Sequence, residues 1–571
     1  MEDNGMKCLT QIPFASLRLC VKSALLLIVA LSTGISSQLP KFFPDDPLLV
    51  DEDSLDLPAK PAEVELSDLF DRFSHSFSDF GSDAWGEAEN VNTLDEVPDS
   101  SWFTNRLGKR RMSIDELVRG PDSGAKPDPS QIWTIFRGKQ QGITPGFHIE
   151  DGSNSYVIKF GAISDPRLST SSEIIATKIV HAIGYYAPEN YIVYLNADNL
   201  RIRPGTTVTD AYGDKLPLSE GRLRRMLGRA KKEPDGTYRA VASKYIEGVP
   251  LGPFRYFGRR SDDPNDLWEH EQRRELRGLR LVSAWINHDD TRSQNTQDSW
   301  VAKEGKHFVR HYLIDFGSCF GSGTAGLQLP SLTWHYWMDG QLMKKNAAGF
   351  GFHVPKYRKV KWPDQPEFSA VGRFESKEFE AGQWLSEYPN PSFVRETERD
   401  AFWAAKIIMR FTEEELRAIV KTGQINDGHQ EVYFLKTLIE RQRKCGDYGL
   451  NRVNPLDEFR LSGSNLEFTN LSEKYGLGAS GSAYQARWSV YDNASGASRE
   501  VGQGTAVNTP RLAIPSESLS GDSYLAVSIR TQNASHQSWN REVRVYLRPA
   551  SGGYQIVGIE RESTPSLPPE K

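Results

Sequence analysis

The chain has 571 residues, which is too long for one hydrophobic core, so we expect two or three domains. Hydrophobic residues make up 38% and charged residues 25%, as is ordinary for a soluble globular protein. The formal net charge of -6 gives no electrostatic case for nucleic-acid binding, and the four cysteines contain no CxxC pair that would indicate a zinc site.

The N-terminus has the order of a secretory signal. Basic residues precede the apolar run ALLLIVAL at 24–31, and the small residues STGISSQ follow it. The apolar run is short for a membrane span, and an uncleaved membrane anchor is the alternative interpretation of residues 1–37. We therefore predict an exported or membrane-anchored protein. Cys319 and Cys445 are then candidates for one disulfide in an oxidising compartment.

The remaining chain divides by composition. Residues 38–92 are rich in Pro, Asp, Glu and Ser, which predicts an exposed, disordered acidic linker. Mixed strands and helices are predicted from residue 93 to 455. In residues 456–571, short alternating runs such as YQARWSV and REVRVYL are separated by turn residues, which predicts an all-β, sandwich-like domain with a disordered tail.

The first candidate functional residue is Lys159. It interrupts SYVIKFG at 155–161, a run with the apolar, β-branched character of a strand. The upstream stretch GITPGFHIEDGSNS also has strand character and a turn at EDGSN, so we predict a hairpin whose second strand carries Lys159. A lysine in a buried strand is costly unless it is paired. The alternative is a lysine on an edge strand that faces water.

A helix is predicted over STSSEIIATKIVHAIGY at 169–185, because isoleucines recur there every fourth residue. Gly184 is placed to end it. Thr170 and Glu173 have the spacing of a capping box, which is one interpretation of Glu173. The alternative is that Glu173 pairs with Lys159 and orients its ammonium group.

Two further elements precede the central motif. GRLRRMLGRAKK at 221–232 predicts a short helix with a solvated basic face, and binding of phosphate or of an acidic partner is the alternative. GTYRAVASKYIEG at 236–248 follows a PDG turn and predicts another strand, which ends near Tyr245 and Ile246.

The central motif is INHDDTRSQN at 286–295. WEHEQRRELRGLRLVSAWI, which precedes it, predicts a helix with one apolar face and one charged face. Paired aspartates are usual in turns, because Asp and Asn side chains bond their own backbone, and we expect that role of Asp289. The spacing from Asp290 to Asn295 has another meaning. It resembles the D-x4-N spacing of kinase catalytic loops, in which the carboxylate accepts a hydroxyl proton and the amide oxygen binds a metal.

After this loop, DSWVA and HFVRHYLID indicate two strands around a KEGK turn. The second strand ends at Asp315 in DFG, where a carboxylate is suited to binding Mg²⁺. FWAAKIIMRFTEEELRAIVKTG at 402–423 and HQEVYFLKTLIERQRK at 429–444 predict helices.

Taken in order, these motifs resemble the protein-kinase-like superfamily over residues 130–440. The resemblance is closer to atypical branches, namely HipA-type toxin kinases, phosphatidylinositol kinases, CotH-type spore-coat kinases and secretory-pathway kinases. It implies an α+β, two-lobed fold, with a β-rich N-lobe at 93–250 and a helical C-lobe at 251–455, followed by the C-terminal β domain. The chain departs from the family pattern in having Asp289 before Asp290 where many kinases carry arginine, and in having no APE after DFG.

The resemblance also implies roles for five polar residues. Lys159 would contact phosphate, and Glu173 would be its ion-pair partner. Asp290 would act as the catalytic base, and Asn295 and Asp315 would be metal ligands.

The resemblance is less specific about nucleotide contacts. No GxGxxG precedes the strand lysine; the chain offers GKQQGITPG, with Gly142 and Gly146 as candidates for covering the phosphates. Tyr245 and Ile246 would form a hinge whose backbone groups hold a purine. The cofactors implied are ATP and Mg²⁺, with Mn²⁺ as a substitute.

The sequence therefore favours a phosphotransferase that moves the γ-phosphoryl group of ATP to a hydroxyl of a protein or a small molecule. Two alternatives stay open. One is nucleotidyl transfer on the same fold, and the other is a nucleotide-binding or scaffolding pseudokinase. The expected partners are a nucleotide and an unidentified acceptor, with no nucleic acid, and membrane association through the N-terminal segment where it is retained.

Overall fold

The computed structural model describes residues 39–51, 55–78, 86–139, 145–209, 214–323, 326–350, 352, 354–362, 369–515 and 523–564. The predicted signal or anchor at 1–37, Gly142 and the end of the predicted C-terminal tail lie outside these residues. Within them the fold mixes α-helices with several separate β-sheets. No helix in the described ranges is long and apolar enough to cross a membrane.

The elements are numbered in chain order. The α-helices are α1 (Asp68–Phe77), α2 (Ile114–Arg119), α3 (Arg167–Ile183), α4 (Glu220–Leu227), α5 (Arg274–Ile286), α6 (Gly340–Ala348), α7 (Glu398–Ile408), α8 (Glu413–Thr422), α9 (Gly428–Leu450) and α10 (Leu471–Lys474). The strands are β1 (Trp133–Gly138), β2 (Gly146–Glu150), β3 (Ser155–Phe160), β4 (Asn190–Leu195), β5 (Leu200–Ile202), β6 (Thr207–Thr209), β7 (Lys215–Pro217), β8 (Tyr238–Lys244), β9 (Val249–Gly252), β10 (Thr296–Lys303), β11 (Lys306–Leu313), β12 (Leu456–Ser462), β13 (Asn465–Asn470), β14 (Ala483–Tyr491), β15 (Ser498–Val507), β16 (Arg511–Ala513), β17 (Tyr524–Gln532), β18 (Val543–Ala550) and β19 (Gly553–Arg561).

A six-stranded sheet in the order β4-β8-β3-β2-β1-β5 carries Lys159. The structure confirms the predicted hairpin, since β2 and β3 pair antiparallel around the EDGSN turn. Strand β3 alternates between buried and partly buried residues, because successive side chains point to opposite faces. Tyr156, Ile158 and Phe160 therefore enter the hydrophobic cluster on one face, and Lys159 lies on the other face. Strand β3 is central and not an edge strand.

The structure also confirms the second predicted hairpin. Strands β10 and β11 pair antiparallel, with Thr296 opposite Leu313 at one end and Lys303 opposite Lys306 at the other. The tight turn between them is at Glu304 and Gly305. Strand β9 adds to β10, giving a three-stranded sheet that carries the DFG sequence at its end.

Helix α5 is the centre of the largest hydrophobic cluster, which also contains residues of α3, α7, α8 and α9. The predicted helix over 268–286 begins later, at Arg274, and its charged face is not solvated. Arg274 is buried and pairs with Asp95 at 2.6 Å and Asp400 at 3.1 Å. The amphipathic pattern located the apolar face correctly, but tertiary ion pairs cover the other face.

The predicted helix over 402–423 is two helices. Thr412 and Glu415 form a capping box, in which each side chain accepts from the other residue's backbone N–H, so a new helix begins there. Cys445 lies in α9 and Cys319 follows the DFG sequence, and both are buried free thiols rather than a disulfide.

The C-terminal strands form two antiparallel sheets. One has the order β15-β14-β17-β18-β19 and the other β12-β13-β16. Buried residues from both sheets, including Trp488, Val545 and Leu466, belong to one hydrophobic cluster.

The described part of 38–92 differs from the predicted disordered linker. It contains α1, and its backbone bonds to distant elements: Leu57 N donates to His307 O at 2.9 Å, and Val64 N donates to Leu251 O at 2.7 Å. At Gly252, where φ is +87°, an added Cβ would lie 2.0 Å from Val64 O, so the two backbones pass too closely for any side chain. Composition favoured disorder, but long-range hydrogen bonds hold this segment.

Candidate active site

Lys159 joins three elements of the fold. Its Nζ lies 3.1 Å from Glu173 Oε1 on α3 and 3.1 Å from Asp315 Oδ1 after β11. The Lys159 side chain is 18% exposed, that of Glu173 is 3% exposed, and that of Asp315 is 44% exposed. The predicted pairing of the strand lysine with the helix glutamate is therefore present, and the DFG aspartate adjoins it at the open side.

The capping-box interpretation of Glu173 is wrong. Helix α3 begins after Pro166 and has no side-chain cap, and Thr170 Oγ1 instead donates to Pro166 O at 2.7 Å. Glu173 lies one turn further inside the helix, where its carboxylate accepts from Asn190 Nδ2 at 3.3 Å and from the backbone N–H of Phe316. These donors hold the carboxylate in place beside Lys159.

The charges of this cluster act on one another. Burial disfavours the charged lysine, but Asp315 and Glu173 outweigh it and raise the pKa of Lys159. The Lys159 ammonium lowers the pKa of Asp315 to about 2, although burial acts against it. Burial raises the pKa of Glu173, and Lys159 opposes that rise. The lysine is therefore charged, and the exposed aspartate is ionised at neutral pH.

The loop INHDDTRSQN begins where α5 ends. Asn287 has the left-handed conformation, with φ at 54°, which ends the helix. Arg441 of α9 is buried and donates to Trp285 O at 3.0 Å and to Asn287 Oδ1 at 3.2 Å. The last carbonyls of α5 are thus satisfied by a side chain from another helix, and this fixes where the loop starts.

Within the loop, Asp290 faces a cation that the sequence interpretation missed. Arg292 Nε lies 2.6 Å from Asp290 Oδ1, and Asn295 Nδ2 donates to the Asp290 carbonyl at 2.8 Å. Ile314 N donates to Asn295 O at 3.0 Å, which ties the loop to the residues that lead from the end of β11 to Asp315. The two residues of the D-x4-N pattern and the DFG aspartate therefore occupy neighbouring loops.

Burial raises the pKa of Asp290 to about 6, with Arg292 lowering it and the Asp315 charge raising it. Asp289 has a different environment. It is buried, its Oδ1 has no hydrogen-bond partner in the described part of the chain, and burial together with the Asp290 charge raises its pKa well above the usual range. The turn-stabilising role of Asp289 stays a prediction, whereas Asp290 is partly exposed and has a pKa of about 6.

Arg292 is itself held by α1. Its Nη1 donates to both carboxylate oxygens of Asp68, at 2.9 and 3.0 Å. Arg72, one turn along α1, makes a two-bond contact with Glu387 at 2.6 and 3.2 Å. Neither Asp68 nor Glu387 was predicted, because each is more than two hundred positions along the chain from the arginine that it contacts. Arg292 stands two positions after Asp290, and its charge inside the loop was the signal available.

The remaining predicted residues lie along the same sheet. Gly146 pairs directly with Lys159 in the β2–β3 ladder, and an added Cβ would lie 2.4 Å from Ile158 O. Tyr245 follows β8, where its N–H donates to Ser155 O at 2.9 Å, and Ile246 comes next. Because β3 rises about 3.3 Å per residue, Tyr245 lies roughly 13 Å along the sheet from Lys159.

The donors open to a divalent cation here are oxygen atoms. The Asp315 carboxylate is the most exposed acidic group of the cluster, and Asn295 keeps its amide oxygen because Nδ2 is bonded. In the described ranges no group of three or more His, Cys, Asp or Glu side chains is gathered to hold a metal. This set fits Mg²⁺, which proteins often bind through one or two carboxylates together with substrate phosphates.

No protein-family model matches the sequence, and no curated protein matches it. Among solved structures, the proinflammatory kinase CtkA of Helicobacter pylori is similar, with 11% identity, 57% of this chain and 94% of that chain covered, and a TM-score of 0.28. A TM-score of this size does not establish a common fold, so the site is interpreted from its own residues.

Proposed function

We propose that the chain is a kinase-like phosphotransferase, with a two-lobed catalytic region and a separate sandwich-like β domain, that transfers the γ-phosphoryl group of ATP to a hydroxyl. The observation that supports this best is the position of Lys159, 3.1 Å from both Glu173 and Asp315. Kinases bind nucleotide phosphates with a strand lysine held by a helix glutamate, beside the aspartate of DFG.

In this proposal each polar residue has one task. Lys159 binds nucleotide phosphates, and Glu173 holds its ammonium group at the face of the sheet. Asp315 and Asn295 would hold Mg²⁺, which supplies positive charge at the phosphates. Asp290 accepts the proton of the acceptor hydroxyl as the acceptor oxygen bonds to the γ-phosphorus. The bond between that phosphorus and the bridging oxygen breaks, and ADP leaves with the electron pair.

Three further features support the proposal. The pKa of Asp290 at about 6 suits a general base, because the residue is largely ionised at neutral pH yet still able to hold a proton. Gly146 and Tyr245 lie at two ends of the same sheet, so phosphates beside Gly146 and a purine beside the backbone of Tyr245 and Ile246 are compatible with one bound nucleotide. The signal-like pattern of residues 1–37 supports export or membrane anchoring.

The test is incubation with γ-labelled ATP and Mg²⁺, with autophosphorylation and transfer to candidate acceptors as readouts. Wild type should be compared with Asp290→Ala, Asp315→Ala and the control Asp235→Ala, which changes an exposed turn. Label should be transferred by wild type and by the control, and lost in the other two variants.

Two outcomes would replace this proposal with its alternatives. Products that carry AMP, identified by mass spectrometry, would indicate nucleotidyl transfer. Stabilisation by ATP and Mg²⁺ in a thermal shift assay without transfer would indicate a pseudokinase, since a ligand that binds the native state raises its stability. Absence of both stabilisation and transfer would refute nucleotide binding altogether.

A further inference from the structure

Helix α1 buries polar residues and exposes apolar ones, which is the reverse of an ordinary surface helix. Its buried side carries the polar residues Asp71 and His75. Its exposed side carries a stripe of apolar residues at helical spacing. These are Leu69, Phe70, Phe73 and Phe77, which are 64%, 69%, 42% and 71% exposed.

A second exposed apolar group lies in residues 334–362, which we term the aromatic-basic segment. It contains six lysine or arginine residues and one aspartate, a net +5, in a chain whose net charge is -6. All six cations are exposed: Lys344, Lys345, Lys356, Arg358, Lys359 and Lys361. Its exposed apolar residues are Trp337, Met343, Phe350, Phe352 and Val354, at 43%, 59%, 90%, 88% and 52%.

The two groups meet at Trp337. Phe73 of α1 meets Trp337 edge to face, with ring centroids 5.3 Å apart, and the Arg72 guanidinium lies 5.4 Å from the Trp337 ring centroid. Trp337 is also linked to the loop 286–295 through Glu387. Trp337 N donates to Glu387 O at 2.7 Å, and Glu387 N donates to Asp289 O at 3.1 Å. An exposed apolar surface of this kind marks an interaction site.

We propose that α1 and the aromatic-basic segment dock on the surface of an anionic lipid bilayer. Aromatic and aliphatic side chains enter the headgroup boundary, while lysine and arginine stems extend their charges to anionic headgroups. The acidic residues of α1 do not oppose this, since Asp68 is paired with Arg292 and Asp71 is buried. A protein partner fits less well, because lysine is depleted in protein–protein interfaces.

The test is co-sedimentation of the full chain with vesicles of phosphatidylcholine alone or with phosphatidylserine. Lys344→Gln/Lys345→Gln should lower the apparent affinity for anionic vesicles roughly 10- to 30-fold, since each cation near such a surface contributes about fivefold. Phe350→Ser should lower it by roughly tenfold or more. The matched control is Lys231→Gln/Lys232→Gln, an exposed lysine pair beyond α4, which should bind as wild type does.

Hydrogen–deuterium exchange locates the contact, and it separates this surface from any binding through residues 1–37. Anionic vesicles should protect amides of α1 and of 342–350, and salt should weaken the protection. Three results would each overturn the proposal: equal binding to neutral vesicles, protection confined to other regions, or burial of this surface between two copies of the chain in solution. None of these readouts depends on phosphotransferase activity.

Discussion

Replacing Lys159 with methionine tests the charge cluster without large loss of side-chain volume. The substitution leaves Glu173, whose side chain is 3% exposed, with a buried charge and no cation at 3.1 Å. Removing one partner of a buried ion pair costs about 3–5 kcal/mol. Asp315 is 44% exposed and Glu173 keeps its bonds from Asn190 and Phe316, so we expect a smaller loss than this, about 2–3 kcal/mol.

The matched control is Lys244→Met in β8 of the same sheet. Lys244 pairs with Glu189 at 2.8 Å, but both side chains are partly exposed, at 22% and 18%. That pair should contribute about 1 kcal/mol or less. Local stability is measured by hydrogen–deuterium exchange of peptides that cover β3 and α3, because a chain of several domains has no single unfolding free energy.

Two further measurements sharpen this prediction. Adding Glu173→Gln to Lys159→Met should recover at least half of the lost stability, since no charge is then buried.

In the single variant Lys159→Met the folded-state pKa of Glu173 rises further, because the cation that opposed burial is gone. A group with a raised folded pKa stabilises below its unfolded pKa and loses that contribution as pH rises, so the cost should be smaller at about pH 5 than at about pH 8. Equal losses in both methionine variants, or no recovery with glutamine, would refute the reasoning.

The remaining predictions concern catalysis and the thiols. Asp290→Asn should lower the rate of phosphoryl transfer roughly 10²–10⁴-fold, with the ATP-dependent thermal shift unchanged. The wild-type rate should fall as pH drops through about 6, because the carboxylate of Asp290, the proposed base, becomes protonated. Arg292→Gln should move this acid limb to higher pH, and Asp68→Asn to lower pH, since one removes a cation and the other an anion near the base. Shifts of both pH–rate profiles in the same direction would contradict the assigned geometry. Iodoacetamide followed by peptide mapping should modify Cys319 and Cys445 only after unfolding, and a disulfide between them in the native protein would contradict their burial as free thiols.

The sequence alone predicted most local elements near the site. The hairpin that carries Lys159, the KEGK hairpin and the end of α3 at Gly184 are all present. These features depend on turn residues and on periodicity within short windows, which are local properties. The sequence TEEE at 412–415 also has the spacing of the capping box that begins α8. We predicted one helix instead of two there, because the apolar periodicity continues across this position.

Other parts of the site depended on contacts that no local pattern encodes. The sequence did not indicate that Arg292 is held by Asp68, or that the acidic segment around α1 lies against the loop 286–295. Its composition resembles that of disordered chains, since few apolar residues are available to bury. Hydrogen bonds to backbone groups that are distant along the chain hold it instead.

The sequence by itself, through its residue types and their spacing, determined which side chains are candidates for the site. These are Lys159, Glu173, Asp290, Asn295 and Asp315. Only the tertiary structure decided how their charges are balanced. It placed Lys159 between two carboxylates, buried Asp289 and gave Asp290 the partly exposed position beside Arg292. The physical reason is that desolvation and Coulomb interactions depend on distance in space, and separation along the chain does not set that distance.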